Sequence, residues 1–132
     1  LSVTSVLVDP FEPDTVYAST LAGLYKTTDG GKAWVRIGQS LQDQMLFSML
    51  LDRTKKGVIY LGGREGVHRS DDGGATWRTL NAGLATLNIR SLVQSPTDPD
   101  VFYAGTNGSG LYRSKSRGET WEPVPTSLPS QW

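Results

Sequence analysis

The sequence predicts an all-β propeller, and three observations predict it. A unit of 43 or 44 residues recurs three times along a chain of 132 residues. Each unit offers four short runs rich in Val, Ile, Leu, Tyr and Phe, the strand pattern of a propeller blade. No stretch keeps apolar residues at helical spacing without a Gly, Pro, Asp or Asn interrupting it, which excludes helical repeats of similar length.

The landmarks of the repeat hold their spacing from unit to unit. Tyr17, Tyr60 and Tyr103 recur 43 residues apart, and Gly23, Gly66 and Gly110, then Trp34, Trp77 and Trp121, then Leu41, Leu84 and Leu128 follow at steps of 43 and 44. The first strand of each unit reads "TSVLVD", "FSMLLD" or "IRSLVQ". These runs are apolar on both faces, as expected of sheets covered on both sides by neighbouring sheets. After a turn come "TVYAST", "GVIYLG" or "VFYAGT", then a glycine-rich turn, then "GLYKT", "GVHRS" or "GLYRS". The period marks the three tyrosines as core residues. An eight-residue turn follows, and a last short strand closes the unit. The predicted blades run over about 1–41, 44–84 and 87–128 of a single domain, 1–132.

The eight-residue turn explains its own composition. Its copies are "TTDGGKAW" (27–34), "SDDGGATW" (70–77) and "SKSRGETW" (114–121). An Asp carboxylate accepts hydrogen bonds from backbone N–H groups just downstream and pins a tight turn. Glycine two positions later permits a positive φ. The closing Trp enters the outer strand, where its ring can be buried between neighbouring sheets. The pattern Ser/Thr-x-Asp-x-Gly-x-Thr-Trp resembles the Asp-box, or BNR repeat, of sialidases, sortilin-type receptors, xyloglucan-cleaving glycosidases and photosystem II assembly-factor-like proteins. The middle copy matches throughout: Ser70, Asp72, Gly74, Thr76 and Trp77. The first, with Thr27, Asp29, Gly31 and Trp34, has Ala33 at the Thr position. The third keeps Ser114, Gly118, Thr120 and Trp121 but carries Ser116 where the Asp belongs, so its turn is expected to be the least rigid. The resemblance implies that the octets form the turn between third and fourth strands, on the face opposite the binding site. It also implies a secreted or periplasmic setting, although no residue fixes the compartment.

Composition narrows the function classes. Lys+Arg and Asp+Glu balance at 13 each, with a sequence pI of about 6.8. Nucleic acid is therefore not an expected partner, because no basic footprint for phosphates exists. Cysteine is absent, which removes disulfides, thiolate metal sites and cysteine nucleophiles. The longest apolar stretch, "MLFSMLL" (45–51), is far too short to cross a bilayer, so no membrane partner is expected. The "DDGG" of the middle octet lacks the spaced oxygens and closing Glu of a cation loop. Neither a metal nor a cofactor is predicted.

The functional face of a propeller is built from the turns between second and third strands and the links between blades. Those segments are 19–23, 62–66, 105–110, 39–45 and 81–88. Arg64, Glu65, Asn88, Arg90 and Asn107 break the repeat with polar side chains at the expected channel mouth and are the candidate ligand contacts, together with Asp43. Asp43 and Glu65 are the two carboxylates of these segments, and two acids facing one sugar bond are what glycoside hydrolysis needs. The triple-arginine grip and the Arg-Ile-Pro motif of sialidases have no counterpart, so the resemblance carries the fold and not the activity. His68, the sole histidine, stands in the slot of Tyr25 and Tyr112 and reads as a packed or half-exposed strand residue and not as a catalytic base. The expected function is a non-enzymatic binding or scaffold module presenting loops around a channel to a carbohydrate or protein ligand. The alternatives are a glycoside hydrolase and a designed or ancestral-like repeat protein with no dedicated ligand.

Three blades cannot close a ring. Leaving about 1,000 Å² of mostly apolar face bare at each end far exceeds what a soluble monomer exposes. Either two copies form a six-bladed homodimer, or the missing blades belong to a longer parent. The chain starts at a first strand and stops just after Leu128, which suits an assembling unit. Its lack of an initial Met also fits a processed product or a piece of something longer.

Overall fold

A computed structural model describes residues 2–41 and 45–125. It contains three four-stranded antiparallel sheets, each built from strands consecutive in sequence. The first sheet comprises β1 (Val3–Val8), β2 (Val16–Thr20), β3 (Gly23–Thr27) and β4 (Val35–Ile37). The second comprises β5 (Leu46–Leu51), β6 (Ile59–Gly63), β7 (Gly66–Ser70) and β8 (Arg78–Thr79). The third comprises β9 (Ile89–Gln94), β10 (Phe102–Thr106), β11 (Leu111–Ser114) and β12 (Glu122–Pro123). These are propeller blades, and the fold is all-β. The one helical piece among the described residues is a single 3-10 turn, Gln39–Leu41. Asp43 and Leu128 lie outside the described residues.

The first strands β1, β5 and β9 lie side by side, so the sheets stack face to face. Each joint is an apolar layer made by equivalent residues. Between the first two blades, Leu7, Tyr17, Leu24, Ile37 and Leu41 meet Leu46, Met49, Ile59, Leu61 and Trp77. Between the second and third, Leu50, Tyr60, Val67, Leu80 and Leu84 meet Ile89, Leu92, Phe102, Tyr112 and Trp121. Tyr60 meets Phe102 edge to face, with ring centroids 4.6 Å apart at 83°, the favoured aromatic arrangement. Because both faces of the middle blade are covered, every residue of β6 is buried. This is the two-sided pattern its apolar sequence predicts.

Equivalent residues are not equally buried in the end blades. Tyr103 is only half-buried, unlike Tyr17 and Tyr60, and Trp34 is 44% exposed where Trp121 is 5%. The reason is positional. The Tyr of each blade faces the following blade and the Trp faces the preceding one, and among the described residues no blade packs against the outer face of the first or of the third.

Backbone hydrogen bonds sort the turns onto two opposite faces. The octets accept company from the turn after each first strand: Gly30 N donates to Asp14 O, Gly73 N to Gly57 O, and Arg117 N to Asp100 O. At the other edge, Leu21 N donates to Ser2 O, Arg64 N to Met45 O, and Asn107 N to Asn88 O. The turns between second and third strands are thereby fastened to the links that enter each blade.

In the octets, the first hydroxyl and the Asp share the work of pinning the turn. Ser70 Oγ donates to Asp72 Oδ1 (2.7 Å) and accepts from Gly74 N (2.9 Å). Asp72 in turn accepts from Thr76 N (2.9 Å) and Thr76 Oγ1 (2.6 Å). The Thr76 hydroxyl and amide, with Ser70 behind them, pull its pKa down to about 2. Thr27 and Asp29 repeat the scheme, with Ala33 N donating at 3.0 Å.

The third octet is not left with a weakened turn alone. Ser116 Oγ accepts from Thr120 N (3.0 Å), and Arg117 adds a tether across the joint. Arg117 occupies the position of Gly30 and Gly73 with φ of 55°. Its guanidinium bonds Asp52 of the middle blade and also Asp100, at 2.8 Å.

Candidate functional site

The face opposite the octets carries the candidate ligand contacts, and backbone irregularity decides where they point. The pairing of first and second strands skips one residue in each blade: Thr4, Phe47 and Arg90. A bulge leaves its extra residue unpaired and re-aims the side chain. Thr4 turns back to bond Ser19 Oγ at 2.8 Å. Arg90 instead lays its guanidinium over the Phe47 ring, 4.2 Å from the centroid. The stack joins neighbouring blades at their innermost strands and leaves Arg90 exposed. Phe47 does not stand out in a linear reading as a contact residue. Alignment of the units places it in register with Arg90, and that shared slot is the signal that finds it.

Asn88 and Asn107 come together as a pair through the Asn107 N–H and the Asn88 carbonyl, 3.0 Å apart. Asn88 Oδ1 is buried without a hydrogen-bond partner among the described residues, while Asn107 is exposed. The glycine-rich turn that carries Asn107 is folded by Thr106, whose hydroxyl donates to Gly110 O (2.7 Å) and accepts from Ser109 N (3.1 Å).

Arg64 and Glu65 project from the turn between β6 and β7, and both are exposed. That turn is held from two sides. Met45 O receives the Arg64 N–H. From the blade link, Asn81 Oδ1 accepts from Val67 N (2.9 Å) and its Nδ2 donates to Glu65 O (3.3 Å). Gly66 has φ of +98°, and a Cβ there would press on the Asn81 amide, so glycine and clamp require each other. Asn81 is a supporting residue that sequence reasoning missed. Its slot in the first blade is Gly38, so nothing repeats to reveal it.

Among the described residues, Arg64, Glu65 and Arg90 form no ion pair. Glu65 is the one carboxylate of the described loop segments on this face. Asp43, its expected companion, lies outside the described residues. No group of three metal-ligating side chains gathers among the described residues. His68 is packed, 3% exposed, in the joint between the first two blades. Its Nε2 has no partner there, and burial pushes its pKa down against a weaker opposing pull from Glu65. Tyr112 in the equivalent slot reaches far enough to accept from Ala85 N at 3.3 Å.

The sequence matches no protein-family model and no curated protein. Solved structures resemble it in fold. The GH74 xyloglucanase from Xanthomonas campestris superposes with a TM-score of 0.75 at 21% identity, over 97% of this chain and 24% of that one. YCF48 bound to a D1 peptide gives 0.70 at 18% identity, over 92% and 40%. The extracellular domain of a hybrid two-component system from B. thetaiotaomicron gives 0.73 at 16% identity, over 98% and 20%. The chain spans less than half the length of each of these proteins. At such identities the likeness shows a propeller fold alone, shared by a xyloglucanase, a peptide-bound protein and the extracellular domain of a two-component system.

Proposed function

We propose that this chain is a propeller segment of Asp-box type that binds a ligand and catalyses nothing, presenting its loop face to a protein or carbohydrate. One observation carries the reading: among the described residues the exposed Arg64 and Arg90 form no ion pair, Arg90 lies over the Phe47 ring, and Glu65 is the one carboxylate of the described loop segments on this face. Arg64 and Arg90 offer planar donor forks suited to carboxylates or amide carbonyls. The Phe47 ring supplies apolar contact area at low entropic cost, as aromatic hot spots do. The tethers at Asn81, Met45 and Asn88 hold the turns before the ligand arrives, and such preorganisation favours affinity. The bound peptide in YCF48 supports a peptide segment as the ligand class. The donor set favours a segment bearing acidic side chains.

Glycoside hydrolysis is the second reading, favoured by the xyloglucanase fold match. It requires a second acid opposite Glu65. One experiment separates the two. The chain is screened against a peptide array, a glycan array and a xyloglucan turnover assay. Binding to acidic peptides or to glycans without turnover is expected, and Arg90→Ala should weaken it about tenfold. Xyloglucan cleavage abolished by Glu65→Gln would overturn the proposal, as would absence of binding on both arrays.

A further inference from the structure

We infer that the bare face of the first blade is a docking site for the bare face of the third blade of a second copy, so that two chains meet head to tail. The two filled joints are the template. In each, one side offers a Leu or Val from the third strand, an aliphatic residue at the end of the fourth strand or just after it, and a Tyr from the second: Leu24, Ile37 and Tyr17, then Val67, Leu80 and Tyr60. The third blade offers the same set as Leu111, Val124 and Tyr103, each only partly buried, with Val93 54% exposed beside them.

The receiving side is equally regular. In the second joint it includes Ile89, Ala104, Tyr112 and Trp121, all buried. Their equivalents in the first blade are Val3, Ala18, Tyr25 and Trp34. Instead of packing against a neighbour, these line an open apolar cavity of about 430 Å³. Val3 and Val6 are each more than half exposed, and the corresponding Leu46 and Met49 are buried.

The octet glycines report the vacancy directly. A Cβ on Gly74 would come 2.5 Å from Ile37 Cδ1, and one on Gly118 would come 3.0 Å from Leu80 Cδ1. Each glycine therefore seats the outer-strand aliphatic residue of the preceding blade. A Cβ on Gly31 meets only its own Trp34, at 3.9 Å. The residue that repeats Ile37 and Leu80 is Val124, at the other end of the chain.

Charge selects a copy of this chain as the occupant. At the outer rim of the second joint, Arg78 bonds Glu119 at 2.6 Å. The same two slots in the first joint hold Val35 and Ala75, which carry no charge. In the joint between two copies they hold Glu122 and Lys32 of the partner subunit. The signs are exchanged and still opposite. Both residues are exposed; among the described residues Lys32 forms no ion pair, while one oxygen of Glu122 holds Arg113 at 2.9 Å and Lys115 at 3.8 Å, and its second oxygen is in no ion pair there. A head-to-tail contact of this kind forms a closed ring when its rotation closes. Two copies then give six blades.

The inference rests on the end faces and is independent of the ligand reading. Its test is a charge-swap cycle measured by sedimentation. The parent chain should sediment at twice its 14.4 kDa mass. Lys32→Glu and Glu122→Lys should each weaken association by about fivefold or more, by placing like charges opposite one another. The double variant should regain the parent affinity. Trp34→Ala, which removes the largest side chain of the receiving face, should abolish association while the thermal unfolding transition persists. A parent chain that stays at 14.4 kDa, a larger assembly, or single and double variants that associate alike would each overturn the inference.

Discussion

Trp121→Ala should lower the unfolding free energy by about 3–5 kcal/mol, the cost of excavating a large buried aromatic side chain. The indole is 5% exposed and lies in the apolar layer between the second and third blades. Its Nε1 donates to Leu80 O at 3.0 Å, and its backbone N–H donates to Ala82 O at 2.9 Å. It therefore fastens the third blade to the link that leads into it. That link passes so close that a Cβ on Gly83, where φ is +93°, would collide with Trp121 O. The packing cannot relax inward without breaking this contact, so the cavity stays. Natural domains are stable by only about 5–15 kcal/mol, so the loss is a large part of the total. The identical change at Trp34 should cost the single chain less than about 1 kcal/mol, because that ring already meets solvent. Denaturant titration of both variants, below the concentration at which copies associate, checks the contrast. Equal losses would show that the octet Trp acts within its own turn and not on the joint.

Arg117→Ala should cost about 3 kcal/mol, toward the lower end of what breaking a buried ion pair costs. Asp52 has a side chain with no exposure, and Arg117 is 14% exposed. Burial pulls the Asp52 pKa up, but Thr54 N (2.9 Å), Gln94 Nε2 (3.1 Å), Thr54 Oγ1 (2.8 Å) and Arg117 together outweigh it and hold the carboxyl below its ordinary value. Removing the guanidinium strands a carboxylate that still keeps three neutral donors, which is why the loss falls at the low end. Backbone strain separates two variants. With φ of 55°, position 117 favours glycine, the residue at the matching positions 30 and 73. Arg117→Gly loses the same clamp yet relieves about 1 kcal/mol of left-handed strain. It should therefore lie above Arg117→Ala in stability and below the parent. Either variant matching the parent would contradict the clamp.

The strands and their order were legible in the sequence because the period is carried by residues with one physical task each. Gly23 and Gly66 sit at positive φ, Trp77 and Trp121 pack on the preceding blade, and Tyr17 and Tyr60 fill the joints. Repetition alone misleads at the end blades: Trp34 and Tyr103 match their counterparts in sequence and differ in burial, since identity of the residue does not carry the neighbour that covers it. The Arg117–Asp52 clamp was hidden for another reason. Its partners lie 65 positions apart, and arginine stands where the repeat calls for glycine. On the loop face, Arg64, Glu65 and Asn107 lie in turns and Asn88 in a blade link, as their segments suggest, whereas Arg90 falls within β9. The sequence could not show that a bulge brings Arg90 onto Phe47, because a bulge is a property of pairing and not of either strand alone.

The cohesion of this molecule resides in the layers between sheets, and the middle blade by itself tests that claim. A peptide spanning residues 45–84 keeps every strand, both turns and the complete Ser70–Trp77 octet. It loses both neighbours that bury β6. Proton NMR and a circular-dichroism melt of this peptide should show collapsed amide dispersion and no cooperative transition, against a cooperative melt for the whole chain. A monomeric peptide with dispersed amides and a cooperative melt would contradict the account.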